Sequence, residues 1–428
     1  MSELPPVAAL RRELHSLPEY GWQEYRATWR LSELLARRGF RISYLSDLLT
    51  DPEKEVPDCA SGRDEAKARA ASEGADPDLM ERLKVPGFIA MIDGALPGSA
   101  VGLRCDIDAV GVSEAMSEEH APARLSFASR HPGLAHACGH DGHMALATHA
   151  ACRIASRKER LRGSYVFLFQ PAEEGCRGAM RLTDLPQIRQ LDALIGFHLG
   201  ICAADGEIVA DPSDFLVSTK FDVEITGRSA HAGIEPEKGI NALRCACGIA
   251  DRLFRLGELR ATSRFNIGNF ASANARNVIC DRVAFQCECR DRTEKDNHEI
   301  FAKAQDIIRS ECDRSGCKYH LAVTGEACSI KNSPVLVKTI AESAEDLGYR
   351  VYDTRSFGAC EDCGHLIRAV QSAGGAGAYF VMGNTISAGH HNRLFDLSET
   401  WLEKDVRLLF EVLTRAADGR LPPRNANR

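Results

Sequence analysis

Four thiol and imidazole side chains crowd into the eight residues His136-Ala-Cys-Gly-His-Asp-Gly-His143, between a loop bearing Gly and Pro and a segment of helical character. Cysteine and histidine suit borderline ions such as zinc, and a thiolate carries enough lone pairs to bridge two ions. A second cluster, Phe169-Gln-Pro-Ala-Glu-Glu-Gly175, puts two adjacent carboxylates at the carboxyl end of an apolar run. That is where α/β sheets place their ligands. Neighbouring residues point in different directions, so one carboxylate can hold a metal while the other faces the attacking water as general base. His198 ends another apolar run, and Gly389-His-His-Asn-Arg-Leu-Phe-Asp396 follows a further one. Read singly, each motif is ordinary: the first is equally a polar loop capping a helix, the second a solvated helix start. Three strand ends converging on a Cys-x-His loop suffice for a two-metal hydrolytic site.

The elements that must position these groups follow from hydrophobic pattern. Phe88 to Ile92, Val101 to Ile107, Ser164 to Phe169 and Leu191 to Phe197 are short apolar runs separated by helix-like segments such as Met144 to Ser156. This predicts an α/β fold with a mixed, mostly parallel sheet. From Thr219 the pattern changes to strand Lys220 to Thr226, helix Gly239 to Leu256 and strands Arg264 to Phe270 and Val283 to Cys289, then helix Glu294 to Arg314 and strand Lys318 to Thr324. The order β-α-β-β-α-β is a ferredoxin-like unit. We therefore expect a catalytic domain in two parts, 1–216 and 328–428, interrupted by a lid at 217–327. The α/β pattern resumes with helix Pro334 to Leu347 and strand Ala378 to Met382 and ends on a helix from Ser398. Residues Asp51 to Ser72 hold Val56 as their one branched aliphatic and read as a surface insertion without much core.

The chain of 428 residues is 44% hydrophobic and 26% charged, an ordinary globular balance. Its 53 basic and 60 acidic residues are dispersed, for a net charge of -7, so no basic stripe offers a footprint for nucleic acid. No apolar stretch approaches the ~18 residues of a membrane span. The amino terminus lacks the pattern of a secretory signal, so the expected location is the cytoplasm. The 16 cysteines then read as reduced thiols or metal ligands rather than a disulfide framework.

The motifs, in order, resemble the di-metal amidohydrolase and peptidase family of carboxypeptidase G, hippurate hydrolase and the auxin-conjugate hydrolases. The resemblance runs from LHSLPEYGWQEYRAT (14–28) through LRCDIDAV (103–110), HACGHDGH, FQPAEEGCRGA and FHLG. It continues through TKFDVEITGRSAHAGIEPEKGINAL (219–243) and RNVI (276–279) to AGHHNRLFD. Within the family, the insertion after Leu45 and the stretch SDFLVSTKFD are similar to the aminobenzoyl-glutamate and indole-acetyl-aspartate hydrolase branch. The resemblance implies two divalent ions per chain, zinc or manganese, with Cys138 bridging, His140 and Glu174 on one ion and His198 and His391 on the other. It makes Glu173 the base and puts Asp106 and Asp108 behind the ligands. His231 becomes an oxyanion donor reaching a partner subunit's site, Asn277 a ligand of the scissile carbonyl and Arg290 of a substrate carboxylate. The implied partners are a small N-acyl amino acid and a second copy joined through the lid, or a related subunit.

The activity so implied is metal-dependent hydrolysis of the amide of N-acyl amino acids, above all aromatic-acyl conjugates of acidic amino acids. The alternatives are a dipeptidase or aminopeptidase of the same fold, or a non-catalytic metal-binding subunit. Two positions depart from the family pattern. Cys280 stands where Asn-Val-Ile is usually followed by Pro, and Cys360-Glu-Asp-Cys363 occupies a place where the family carries Gly-Ser-Glu-Asp. We read the Cys-x-x-Cys spacing as accidental.

Overall fold

The computed structural model describes residues 4–52, 56, 62–418 and 421. Two sheets organise them. The larger is mixed and eight-stranded, in the spatial order Arg41–Tyr44, Phe88–Asp93, Arg162–Gln170, Leu96–Asp106, Ala193–Leu199, Ala376–Met382, Glu207–Val209 and Arg350–Tyr352. Its centre, from 162–170 across 96–106 and 193–199 to 376–382, is parallel. Alternation of side chains explains why these strands are apolar at nearly every position. Phe167, Phe169 and Phe197 pack on one face with the helices His140–Ala155 and Leu402–Ala417. Val166, Leu168 and Leu194 pack on the other with the helix Cys363–Ser372. Both faces are covered, so neither tolerates a polar stripe.

The smaller sheet is antiparallel, in the order Lys318–Ala327, Val217–Thr226, Arg282–Asp291, Arg264–Ser272. This 4-1-3-2 order, with helices Ala242–Phe254 and Glu294–Ser315, is the ferredoxin-like arrangement that the chain order predicts. It has its own core, in which Phe221, Val223 and Phe285 meet Ile249, Ile300 and Ile308.

Three elements differ from expectation. The helix expected from Met144 begins at His140, because Gly139, at φ 89°, turns the chain from loop to helix in one residue. The last helix begins at Leu402 rather than at Ser398, whose hydroxyl bonds Asp205 and Thr400 instead. The insertion is not bare surface: helices Arg63–Ser72 and Pro77–Arg82 press Ala66, Ala70, Met80 and Leu83 onto Tyr25 as a small satellite core. Alanine and methionine suffice there, so the scarcity of branched aliphatics was misleading. The parts of the insertion at 53–55 and 57–61 lie outside the described residues.

The first helix, Val7–His15, is fastened by charge as well as by packing. Arg11 is fully buried and donates to Asp141 at 2.7 Å, to Asp396 and to Glu399 at 3.3 Å. It thus ties the start of the helix carrying His140 to the loop carrying His391. Removing one partner of such a cluster strands the other charges away from water. Arg11→Ala is therefore expected to lower unfolding stability by about 3–5 kcal/mol, read by urea denaturation. A loss below about 1 kcal/mol, the range of a surface ion pair, would contradict the fastening role.

Candidate active site

Cys138, His140, Glu173, Glu174, His198 and His391 come from four separate segments and meet at the carboxyl ends of the central parallel strands. Cys138 ends a loop. His140 opens the following helix, His198 stands near the end of strand Ala193–Leu199, and the carboxylates sit on the loop after strand Arg162–Gln170. His391 belongs to the loop after strand Ala376–Met382, where its φ of 61° is left-handed and its N–H donates to the Ala137 carbonyl at 2.7 Å. A non-glycine residue held in that region marks a position where the surroundings override local preference.

The imidazoles are oriented from behind. His140 Nδ1 donates to the Asp108 carbonyl at 2.9 Å, and its Nε2 is buried with no hydrogen-bond partner among the described residues. His198 Nδ1 donates to the Leu199 carbonyl at 2.8 Å, and its Nε2 faces Cys138 Sγ at 3.6 Å. Backbone carbonyls thus occupy Nδ1 of both rings, and a ring nitrogen of each lies within 4.8 Å of one sulfur, an arrangement typical of metal-ligating histidines. Burial, and then His143 and His390, push the His198 pKa well down, so its ring is neutral and able to ligate. His143 is different. Its Nδ1 bonds Asp106 at 2.6 Å and its Nε2 accepts from the Leu199 N–H at 3.0 Å, so both nitrogens are spent on structure.

Donor atoms lying within 4.8 Å of one another form the triples Cys138, His140, His198 and Cys138, Glu174, His391. Cys138 is common to both. The residues present therefore fit a pair of borderline divalent ions, each with three protein donors and one shared thiolate. The resemblance implies another division, His140 with Glu174 and His198 with His391, and the same donor cluster offers the pairing of His140 with Glu174 as well. His140 and His198 rise from the buried floor, with ring centroids 6.0 Å apart. Glu174 Oε1 and His391 Nε2 meet at 3.0 Å from two loops at the rim. A further triple, His140, Glu173 and Glu174, overlaps both.

Glu173 is outside both Cys138 triples and has Glu361 and Asp362 as acidic neighbours. Burial raises its pKa well above the usual carboxylate range, and Glu361, Glu174 and Asp362 add to the effect. Such a group takes up and returns a proton readily. Its loop is gripped through its backbone. Asp108 accepts from the N–H groups of Glu173 at 3.2 Å and Glu174 at 2.9 Å, Glu24 from Ala172 at 2.7 Å, and Asp362 from Ala179 at 2.9 Å. Asp106 lies one layer deeper, between His143 and Arg104 Nη1 at 2.6 Å.

Of the residues expected from the lid, Arg290 is brought to the site and two are not. A cavity of about 440 Å³ is lined by Cys138, Glu173, His198 and Arg290 together with Phe357 and Lys220. A second, of about 590 Å³, lies across Glu174 and His391, toward Tyr20 and Arg177. Among the described residues lining these two cavities, His231 and Asn277 are absent. They sit together on an exposed edge of the lid, where His231 bridges to Val278 and the Ala232 N–H donates to the Asn277 carbonyl at 3.0 Å. His231 Nδ1 accepts from the Gly233 and Ile234 N–H groups, both at 3.1 Å, which leaves the proton on the outward Nε2.

Sequence reading passed over Glu24, Arg104, Lys220, Glu361 and Asp362. Glu24 lay inside a quoted motif with no role attached. Glu361 and Asp362 stood between two cysteines that drew attention to themselves. Cys360 lines the smaller cavity and Cys363 is buried against the sheet.

A three-layer α/β domain with shared Cys, His and Glu donors at its strand ends, roofed by a ferredoxin-like module, defines a metallohydrolase architecture. The sequence profile of peptidase family M20/M25/M40 matches residues 102–415, and the chain belongs to that family. It is 33% identical to a homolog, from Haemophilus influenzae, of one of the p-aminobenzoyl-glutamate hydrolase subunits, over 96% of this chain and 99% of the relative. It is 33% identical to the indole-3-acetyl-aspartic acid hydrolase of Enterobacter agglomerans, over 92% of each. Among solved structures, an aminobenzoyl-glutamate utilization protein from Klebsiella pneumoniae shares the fold at a TM-score of 0.74 and 24% identity, over 99% of this chain and 97% of that one. A dinuclear metal binding peptidase of the family from Bacillus subtilis shares it at 0.65 and 21%, over 96% and 97%.

The donor geometry generates a direct test. Elemental analysis of the purified protein is expected to find two divalent ions per chain, with Glu173→Gln retaining both and Glu174→Gln losing one. Equal metal loss from two folded variants would reverse the assignment within the carboxylate pair.

Proposed function

We propose that the chain hydrolyses the amide bond of N-acyl amino acids, with aromatic-acyl conjugates of aspartate or glutamate as its preferred substrates. The observation that carries this reading is the pair of donor triples sharing Cys138, with the carboxylate of Glu173 beside them and outside both. Cys138, His140 and His198 would hold one ion and Cys138, Glu174 and His391 the other, zinc or manganese, of which thiolate and imidazole suit zinc. Such a pair supplies Lewis acidity toward a carbonyl oxygen and toward water.

The chain's own residues account for the rest of the chemistry. Glu173 takes the proton of the attacking water and returns it to the departing amine nitrogen. Asp108 and Glu24, by holding the loop's N–H groups, keep that carboxylate aimed while its charge changes. Arg290, in the cavity wall, offers its guanidinium to a carboxylate of the amino-acid half. The preference for acidic conjugates is supported by the two relatives named above, whose substrates carry glutamate and aspartate. A screen of p-aminobenzoyl-glutamate, indole-3-acetyl-aspartate, hippurate and neutral dipeptides is expected to give the highest kcat/KM on the first two. Preference for a dipeptide would favour a peptidase, and no turnover by metal-loaded protein would favour a non-catalytic, metal-binding role.

The lid, proposed as 217–327 inserted between 1–216 and 328–428, is further proposed to pair with the lid of a second copy and to carry His231 and Asn277 over that copy's ions. Supporting this are the outward Nε2–H of His231 and the exposed edge that both residues share. Such a donor stabilises the oxyanion as the carbonyl is attacked. No helix among the described residues is long and apolar enough to cross a membrane, and a cytoplasmic location is part of the same proposal. Mixing inactive His231→Ala and Glu173→Gln dimers provides the test. If His231 acts across the dimer, half of the reassorted dimers hold one intact site, and activity returns to about a quarter of wild type. Mixed dimers verified by native mass spectrometry but devoid of activity would reject the shared site.

A further inference from the structure

We infer that Lys220 is the residue that selects dicarboxylic amino-acid conjugates, its ammonium pairing with the side-chain carboxylate of the substrate while Arg290 takes the α-carboxylate. This deepens the amidohydrolase reading above and rests on it.

The argument begins with strand register. In the antiparallel pair of Val217–Thr226 with Arg282–Asp291, Lys220 is directly opposite Glu288 and Ser218 is opposite Arg290. Residues two apart on a strand share a face, so all four side chains emerge on the same side of the lid sheet. There one carboxylate serves two cations: Glu288 Oε1 is 2.9 Å from Lys220 Nζ and 2.7 Å from Arg290 Nε. The same oxygen also accepts from Ser218 Oγ at 3.0 Å. Among the described residues the other hydrogen bonds of the Lys220 ammonium go to neutral groups, Ser218 Oγ at 3.2 Å and Cys176 Sγ at 3.4 Å. Among these four side chains two cations share one carboxylate, on a wall where the lysine's side chain is only 20% exposed, and Asp222, two residues further along the same face, lines the larger cavity but not the smaller. Screening by water is weak in such a place, and an arriving carboxylate is bound correspondingly well.

The position of each charge decides where that carboxylate goes. Lys220 lines both cavities, whereas Glu288 lines neither of them and faces a smaller neighbouring one, from which it holds the two cations in place. The larger cavity also presents Asp222, which repels an anion, and the smaller one presents Arg290. The remaining carboxylates of the smaller cavity, Glu173, Glu174 and Glu361, belong to its floor around the metal donors. An amino-acid half with two carboxylates thus finds two cations side by side on the lid wall. One with an amide in place of the second carboxylate leaves Lys220 with its weak neutral partners.

The test compares kcat/KM for p-aminobenzoyl-glutamate and p-aminobenzoyl-glutamine in the full-length, metal-loaded enzyme, in wild type, Lys220→Met and Lys220→Arg. Wild type is expected to favour the glutamate conjugate by about 30-fold. In Lys220→Met that ratio should fall to within about 3-fold through loss on the glutamate conjugate alone, and Lys220→Arg should keep most of it. Equal loss on both substrates in Lys220→Met would show that the lysine merely braces Glu288, and would overturn the inference. A wild-type ratio near one overturns it without any variant, so the proposal is decided even if Lys220→Met does not fold. Failure of wild type to cleave either conjugate would instead sink the amidohydrolase reading on which it rests.

Discussion

One short loop carries both carboxylates of the site, and its backbone is held by acids. Four N–H groups, those of Ala172, Glu173, Glu174 and Ala179, are accepted by Glu24, Asp108 and Asp362. Within the loop Ala172 and Cys176 both take left-handed φ values, 53° and 57°, which costs side-chain-bearing residues about 1 kcal/mol or more each. The conformation survives because the N–H of each strained residue is paired in a dry environment, where hydrogen bonds are strong: that of Ala172 with Glu24 and that of Cys176 with the Glu173 carbonyl at 2.7 Å. Those bonds hold two adjacent glutamates with different neighbours, Glu174 against the sulfur and His391, Glu173 against Glu361 and Asp362, while both keep an oxygen near His140.

Gathering so many acids around Glu173 requires a cation. Arg104, fully buried, donates to Asp106, to Asp362 at 2.8 Å and to Gln170 at 2.8 Å, and lies 3.1 Å from Glu361. Tyr379 caps the second oxygen of Glu361. Through Asp106 the same guanidinium reaches His143, which takes the Leu199 N–H and so fixes the strand end that bears His198. Arg11 plays the corresponding part on the other flank, between Asp141 and Asp396. Two buried arginines thus connect every segment that contributes a donor. The cost of burying charge is offset only when the whole set is assembled, so a partly assembled site is unstable.

The lid contributes differently. Its sheet has a separate core and supplies cations to the cavity wall while its far edge presents His231 and Asn277 outward. The α/β domain provides the candidate metal donors and the carboxylate of Glu173, all near strand ends. Lys220 and Arg290, the cations proposed to read substrate charge, belong to the lid and line the cavity without belonging to the donor set.

The α/β alternation, the β-α-β-β-α-β unit and the motifs bearing Cys138, His140, Glu173, Glu174, His198 and His391 were legible in the sequence, because apolar periodicity and reactive residue types are local properties. The family followed from the order of those motifs. Tertiary structure alone decided which donors share a neighbour, since distances between a helix start, a strand end and two loops depend on packing across the sheet. It alone separated His143 from His140, three residues apart on one helix turn, by giving the first a hydrogen bond at each nitrogen. Glu24, Arg104, Asp362 and Lys220 were illegible for the same reason. A lone charged residue reads as solvated surface until the fold buries it, and only then does its need for a partner become a constraint on the site.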